Sequence, residues 1–228
     1  LGLASREGPA VWTIDPGAER ALRDLSVRND IIKTMHRAMT RDGGRFDPAA
    51  LALHSKTPSD PIVGRLVERG LQDELAGRAY AIVDGTDGRT HHLRFDDMDM
   101  TGDARPGAIV ELRSWEDAKG QTRLSLATRS DVPLADQITS PGATWLDRQI
   151  VAREPVTTGN GFGLEVRNAM EARAHHLEAQ GLARRQAREL EHGRDPALVL
   201  ALQLPGEHEV EERRGREALA RRLLHELG

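Results

Sequence analysis

The chain has 228 residues, 38% of them hydrophobic, 30% charged and 3% aromatic, with a formal net charge of −4. This is globular composition for one large domain or two to three small ones. The absence of cysteine excludes disulfides, thiolate metal sites and cysteine nucleophiles, and fits a reducing, cytoplasmic setting. No apolar run approaches the ~20 residues of a membrane span, so no membrane insertion is expected, and the charge gives no overall footprint for nucleic acid.

The chain opens at Leu1 inside the apolar phrase LGLASREG, without a charged leader or a cleavage pattern, and reads as a piece of a longer protein. VWTI (Val11 to Ile14) is strand-like, and DPG (Asp15 to Gly17) is a turn. AERALRDLSVRNDIIKTMHRAMT follows with Leu22, Leu25, Ile32, Met35 and Met39 at helical spacing. Asp15 is available as a cap before Pro16, and Asn29 with Asp30 is expected to divide the stretch into two helices.

From Pro61 to Ser130 short apolar segments alternate with turn chemistry. IVGRLVERG, the hairpin AYAIVD–GTDG–RTHHLRF and the hairpin AIVELRSW–EDAKG–QTRLSLATR give about five strands, which close most easily as a small barrel. After Pro133 the chain turns helical. A short helix in SPGATWLDRQIVAR can start with Ser140 capping and Pro141 at the first position, or with Thr144 capping and Asp147 completing a capping box; the second is preferred. That helix is too small to bury Trp145 alone and is expected to dock on a larger body.

FGLEVRNAMEARAHHLEAQ is a helix with Phe162, Val166, Met170 and Leu177 on one face, ending at Gly181. QGLARR (Gln180 to Arg185) echoes LGLASR (Leu1 to Arg6), which suggests a helix, a Gly-Leu-Ala turn and a strand pair in each half. The expected fold is therefore α+β, a small antiparallel β-barrel flanked by helical winged-helix-like units. Residues 1–60 form the first unit, N-terminally truncated; 61–130 form the barrel; 131–228 form the connector helix, the second unit and a charged helical tail.

No constellation reads as catalytic. Tyr80, the single tyrosine, lies in a strand and is expected to pack in the barrel rather than act as a nucleophile. His91 and His92 point to opposite faces of a strand, Glu171 and His175 lack a third ligand, and both histidine pairs, including His175 with His176, read as surface polar groups. In DDMDMTGD, Asp97, Asp99, Thr101 and Gly102 imitate a calcium loop, but Ala108 stands where the bidentate glutamate belongs. TTGNGFG lacks the Lys-Ser/Thr of a phosphate-binding loop and reads as a flexible entry to the helix. No metal, cofactor or small-molecule substrate is expected. Arg184, Arg185, Arg188 and Arg194 are either phosphate contacts on a wing or a solvated face balanced by Glu189 and Glu191.

Three stretches, GLASREGPAVWTIDPGAERALRDLSVRNDIIKTMHRAM, PIVGRLVERGLQDELAGRAYAIVDGTDGRTHH and ITSPGATWLDRQIV with GFGLEVRNAMEARAHHLEAQGLA, together resemble the C-terminal region of plasmid relaxase/mobilisation nucleases. That region lies behind the nicking domain. The resemblance covers Leu1 to Ala183, and ATWLDRQIV is its most specific phrase. It implies an accessory, non-catalytic module that helps bind or position transfer-origin or single-stranded DNA. The alternative is a protein-interaction module docking the relaxase to conjugative transfer or secretion proteins. The His-hydrophobic-His metal motif of the nicking domain does not occur here, and Tyr80 matches no nucleophile segment. Trp145 is implied to be a structural anchor between the barrel and the second helical unit.

Overall fold

The computed structural model of the chain describes residues 3–183, apart from 42, 45, 55, 56, 59, 153 and 154. Its fold is α+β, with a six-stranded sheet, a separate two-stranded sheet and helices on one sheet face.

The N-terminal hairpin pairs β1 (Ala4–Arg6) with β2 (Trp12–Ile14), and α1 (Ala18–Thr40) follows. The Asp15 side chain turns inward on its own loop, accepting from Gly17 N at 2.7 Å, so the helix starts at Ala18 with Gly17 as its cap rather than at Pro16. Asn29 and Asp30 do not break it. Both sit on an exposed face, where a continuous hydrogen-bond ladder costs them little. The second half of α1 is anchored by Ile31, Met35 and Ala38, buried in a cluster with Ile82, whereas in the first half Ala18 is buried and Leu22 is 54% exposed.

The large sheet comprises β3 (Leu51–Leu53), β4 (Val63–Asp73), β5 (Arg78–Gly85), β6 (Thr90–Phe95), β7 (Ile109–Glu116) and β8 (Thr122–Ser130), in the order β3-β6-β5-β4-β7-β8. Every pairing is antiparallel except β3 with β6. The central strand β5 is apolar on both sides, as burial of both faces demands. Ala79, Ala81 and Val83 join Leu66, Leu93, Phe95, Val110 and Leu126 in one cluster, while Ile82 faces α1.

The expected barrel is not closed: among the described residues β3 and β8, at opposite ends of the sheet, do not pair. The physical reason lies in the β6–β7 connection, which crosses to the far end and packs a 3-10 turn (Asp99–Thr101) against β8. Arg69 fixes it by donating to Thr101 Oγ1 at 3.1 Å and to the Gly102 carbonyl. The connection thus lies over β8 and β5 and does not join the two edges.

Three helices finish the described fold: α2 (Leu134–Thr139), α3 (Trp145–Val151) and α4 (Phe162–Ala179). They bury Trp145, Leu146, Phe162 and Val166 against Ile109 of β7. Arg65 joins β4 to this layer, bonding Asp84 at 3.0 Å and Glu165 at 2.9 Å with its guanidinium over the Phe162 ring. Among the described residues no complete winged-helix unit is shown. The N-terminal part supplies a hairpin and one helix, and the region that would carry the second wing lies beyond Ala183, outside the described residues. No described helix is long and apolar enough to cross a membrane.

Candidate functional site

Two of the three tryptophans stand exposed on β-hairpins, each directly across its ladder from an arginine. Trp12 is 60% exposed and opposite Arg6; Trp115 is 42% exposed and opposite Arg123. In a chain with 3% aromatic residues, leaving two indoles in water costs burial free energy that their packing would otherwise recover. Arg6 donates to the carbonyls of Gly8 (2.9 Å) and Pro9 (2.7 Å) and meets no carboxylate among the described residues.

The β7–β8 ribbon is shaped by its turn. Asp117 Oδ1 accepts from Lys119 N at 2.8 Å and Gln121 N at 2.9 Å, and Gly120 takes a φ of 72° that a side chain would resist. These bonds hold the Asp117 carboxyl below the usual range. The register Glu111↔Ala127, Arg113↔Ser125 and Trp115↔Arg123 places these pairs on one face of the ribbon. Arg129 pairs with Glu111, and Arg123 with Asp117 and Asp96. Arg148 of α3 donates to the Arg129 carbonyl at 3.2 Å. Among the described residues Arg113, Arg148 and Lys119 have no carboxylate partner.

The third tryptophan is a core residue. Thr144 caps α3, its Oγ1 accepting from Asp147 N while Asp147 accepts from Thr144 N at 2.7 Å. Trp145 is 3% exposed in the cluster with Ile109, at the seam between sheet and helices. Asp147 also receives Arg173 of α4, a contact that sequence reading missed because an arginine in the middle of a helical apolar face looks solvent-exposed.

The histidine pair of β6 is not a surface pair. His91 and His92 are both 3% exposed, because β6 lies between β5 and β3 and both faces of the sheet are covered. On one face His91 bonds Asp87 Oδ1 at 3.0 Å and His54 Nε2 at 2.9 Å. With Asp87 accepting from His91 Nε2, His91 Nδ1 accepts from His54, which leaves the His54 Nδ1 lone pair at the outer end. Burial, then the neighbouring His91, lowers the His54 pKa. No side-chain hydroxyl bonds either ring among the described residues. Asp87 and His91 are four apart across the hairpin turn and could have been paired from sequence; nothing in the sequence points to His54.

On the opposite face His92 stacks on Tyr80, with ring centroids 5.5 Å apart, and burial pushes its pKa down to about 4. Tyr80 donates to Glu68 Oε1 at 2.6 Å, and Glu68 also receives Arg41. Burial and that acceptor push the phenol up to about 12, the wrong direction for a nucleophile.

TTGNGFG is seated rather than loose. Gly159 N donates to Thr86 O at 2.6 Å, and a Cβ at Gly159 or Gly163 would collide with the carbonyls of Asp87 or Thr86. Gly88, at φ 84°, meets Asn160 in return. The glycines of both turns exist to let two backbones interlock. In the acidic loop Asp97 Oδ1 accepts from Met100 N at 3.1 Å, and Thr101 is fully buried. His175 lies 3.5 Å from Glu178, and His176 bonds Gln180 at 3.0 Å. Among the described residues no three His, Asp or Glu side chains converge as a metal site. Arg184, Arg185, Arg188 and Arg194 lie outside the described residues.

A sequence family described as "Protein of unknown function (DUF3363)" matches residues 1–119 and 112–219. No curated protein and no solved structure matches the chain.

Proposed function

The chain belongs to this family of unknown function, and we propose that it serves as a non-catalytic module of a conjugative relaxase, acting in the cytoplasm to position transfer-origin or displaced DNA. The observation that carries this reading is the repeated device of an exposed tryptophan facing an arginine, Trp12 with Arg6 and Trp115 with Arg123. An exposed indole offers a base a stacking surface, and Arg6, which meets no carboxylate among the described residues, keeps its positive charge for a phosphate near Trp12, whereas Arg123 is already held by Asp117 and Asp96. The resemblance of ATWLDRQIV and its flanking phrases to the non-nicking part of relaxases supplies the setting. The β1–β2 hairpin ahead of α1 is read as a wing and its helix. The Leu182 N bond to Leu177 O closes α4 at Gly181, and the sequence that follows carries Arg184, Arg185 and Arg188, the basic cluster that the DNA reading uses.

The test is binding of the purified chain to labelled single-stranded and duplex DNA at about 50 and about 200 mM salt, the range over which phosphate contacts weaken most. Salt-sensitive binding that falls with Arg184/Arg185/Arg188→Ala, or with Arg6→Ala, supports the reading. No binding at the lower salt overturns it. In that case the docking reading stands, favoured by the exposed Val11 and Ile14 that flank Trp12 at 57% and 70% exposure.

A further inference from the structure

We propose that the outer face of the β7–β8 ribbon is a track for single-stranded DNA, with Trp115 as the stacking platform and Arg113 and Arg148 as phosphate contacts. This rests on the DNA-positioning reading above and gives it a surface and a strand preference.

Three observations converge on that face. The first is order. Side chains of one strand face recur every two residues, about 7 Å, so Glu111, Arg113 and Trp115 form a row from the base of the ribbon to its tip. Ala127, Ser125 and Arg123 form the parallel row on β8. Arg148 stands at the base, where α3 meets the Arg129 carbonyl. A backbone laid along the row meets a cation at its base, a cation midway and an aromatic plane at its end.

The second is charge. Arg129 cancels Glu111, and Arg123 is shared by Asp117 and Asp96, which leaves one surplus carboxylate. Against it stand three cations without an acidic partner among the described residues, Arg113 on the face, Arg148 at its base and Lys119 in the turn at its tip. The ribbon face is thus positive in a chain whose net charge is −4. Glu116 alternates to the other side.

The third is the loneliness of the indole. Besides Trp115, the two rows carry only Ala127 as an apolar residue, so the face is no apolar docking patch. A single aromatic plane among cations suits a base, every one of which has a π-face. In a duplex those faces are already stacked, and the indole would gain nothing there. The unpaired strand is the occupant that uses both the plane and the charges.

The experiment measures fluorescence anisotropy of labelled oligothymidylate, and of a duplex of equal length, with the whole chain. The variants are Trp115→Ala, Trp115→Phe, Arg113→Ala and Arg148→Ala, with circular dichroism to confirm folding. Trp115→Ala is expected to weaken single-strand binding by about 5- to 150-fold, the range for loss of one stacked base. Duplex binding should hardly change, and Trp115→Phe should retain most of the single-strand affinity. Arg113→Ala and Arg148→Ala should each lower the slope of log affinity against log salt by about 0.7. If the chain binds DNA but Trp115→Ala and the arginine variants leave single-strand affinity and slope unchanged, this proposal falls while the broader reading survives on another surface. If neither nucleic acid binds at about 50 mM salt, both fall.

Discussion

Arg173 of α4 lies 2.8 Å from the carboxylate of Asp147, the residue that closes the capping box of α3. The same guanidinium donates to the carbonyls of Ile138 (3.2 Å), Ser140 (2.6 Å) and Gly142 (3.0 Å). One buried cation therefore ties together the end of α2, the SPG turn and the start of α3. Removing one partner of such a pair leaves the other buried and unpaired, at about 3–5 kcal/mol. Arg173→Ala should lower the unfolding free energy measured in urea by that amount. Arg173→Lys should rescue little, because an ammonium cannot reach three carbonyls and a carboxylate in the planar fork geometry.

The same pair sets an acid limb. Burial opposes ionisation of Asp147, but Arg173 and Thr144 outweigh it and hold the folded carboxyl below its ordinary value. A depressed carboxyl stabilises the fold above its unfolded pKa, and the contribution is lost as pH falls through the folded value. Stability measured in urea should therefore drop below about pH 4, and Asp147→Asn should flatten that drop while lowering stability at neutral pH.

His92 acts over a higher window. Its folded pKa of about 4 lies below the ordinary 6.5, so the unfolded chain takes up a proton that the folded one refuses. Stability should fall as pH drops from about 6.5 to about 4, by about 3 kcal/mol in all. His92→Phe keeps a ring against Tyr80, and its urea midpoint should be less pH-dependent across that interval. An unchanged slope in the variant would exclude His92 as the source.

Tyr80, the single tyrosine, can be titrated by its own absorbance. Its phenol should ionise near pH 12 rather than 10, and Glu68→Gln should bring the midpoint down by removing the adjacent carboxylate. Tyr80→Phe should cost about 1 kcal/mol for the lost hydrogen bond and leave the proposed DNA binding unaffected.

Gly163→Ala forces a methyl into the Thr86 carbonyl, backbone against backbone, where no rotamer change can relieve it. The cost should be about 1–3 kcal/mol, as for an overpacked core. Amide exchange should quicken at both residues 85–88 and residues 158–163, since each turn holds the other.

The strands of 63–130 were legible because alternation and turn chemistry agree there, and the Thr144 cap was legible because a capping box is local. The closure of the sheet was not. Whether an edge pairs or is covered depends on where the β6–β7 connection travels, and DDMDMTGD looks the same in either case. The pairing of β3 with β6 escaped notice because three residues carry no periodicity and their partner is about 40 residues away. Burial of His91 and His92 follows from that pairing, so the two errors have one origin. The opposition of Trp115 to Arg123 was readable from the symmetry of the hairpin about EDAKG, whereas its exposure was not, since that depends on the ribbon outrunning β4.

The placement of β3 also bears on how the chain reaches this state. β4, β5 and β6 form a meander of neighbours in sequence, whose loop-closure entropy is small. β3 can be recruited only after β6 exists to receive it, and α1 can bury Met35 only once Ile82 is in place. The meander should be the early nucleus and the segment from β1 through β3 a late, separately opening unit. Transient release of that unit would bare His91, His92 and Ile82 together, uncovering the centre of the sheet while the Trp115 ribbon stayed intact at its far side.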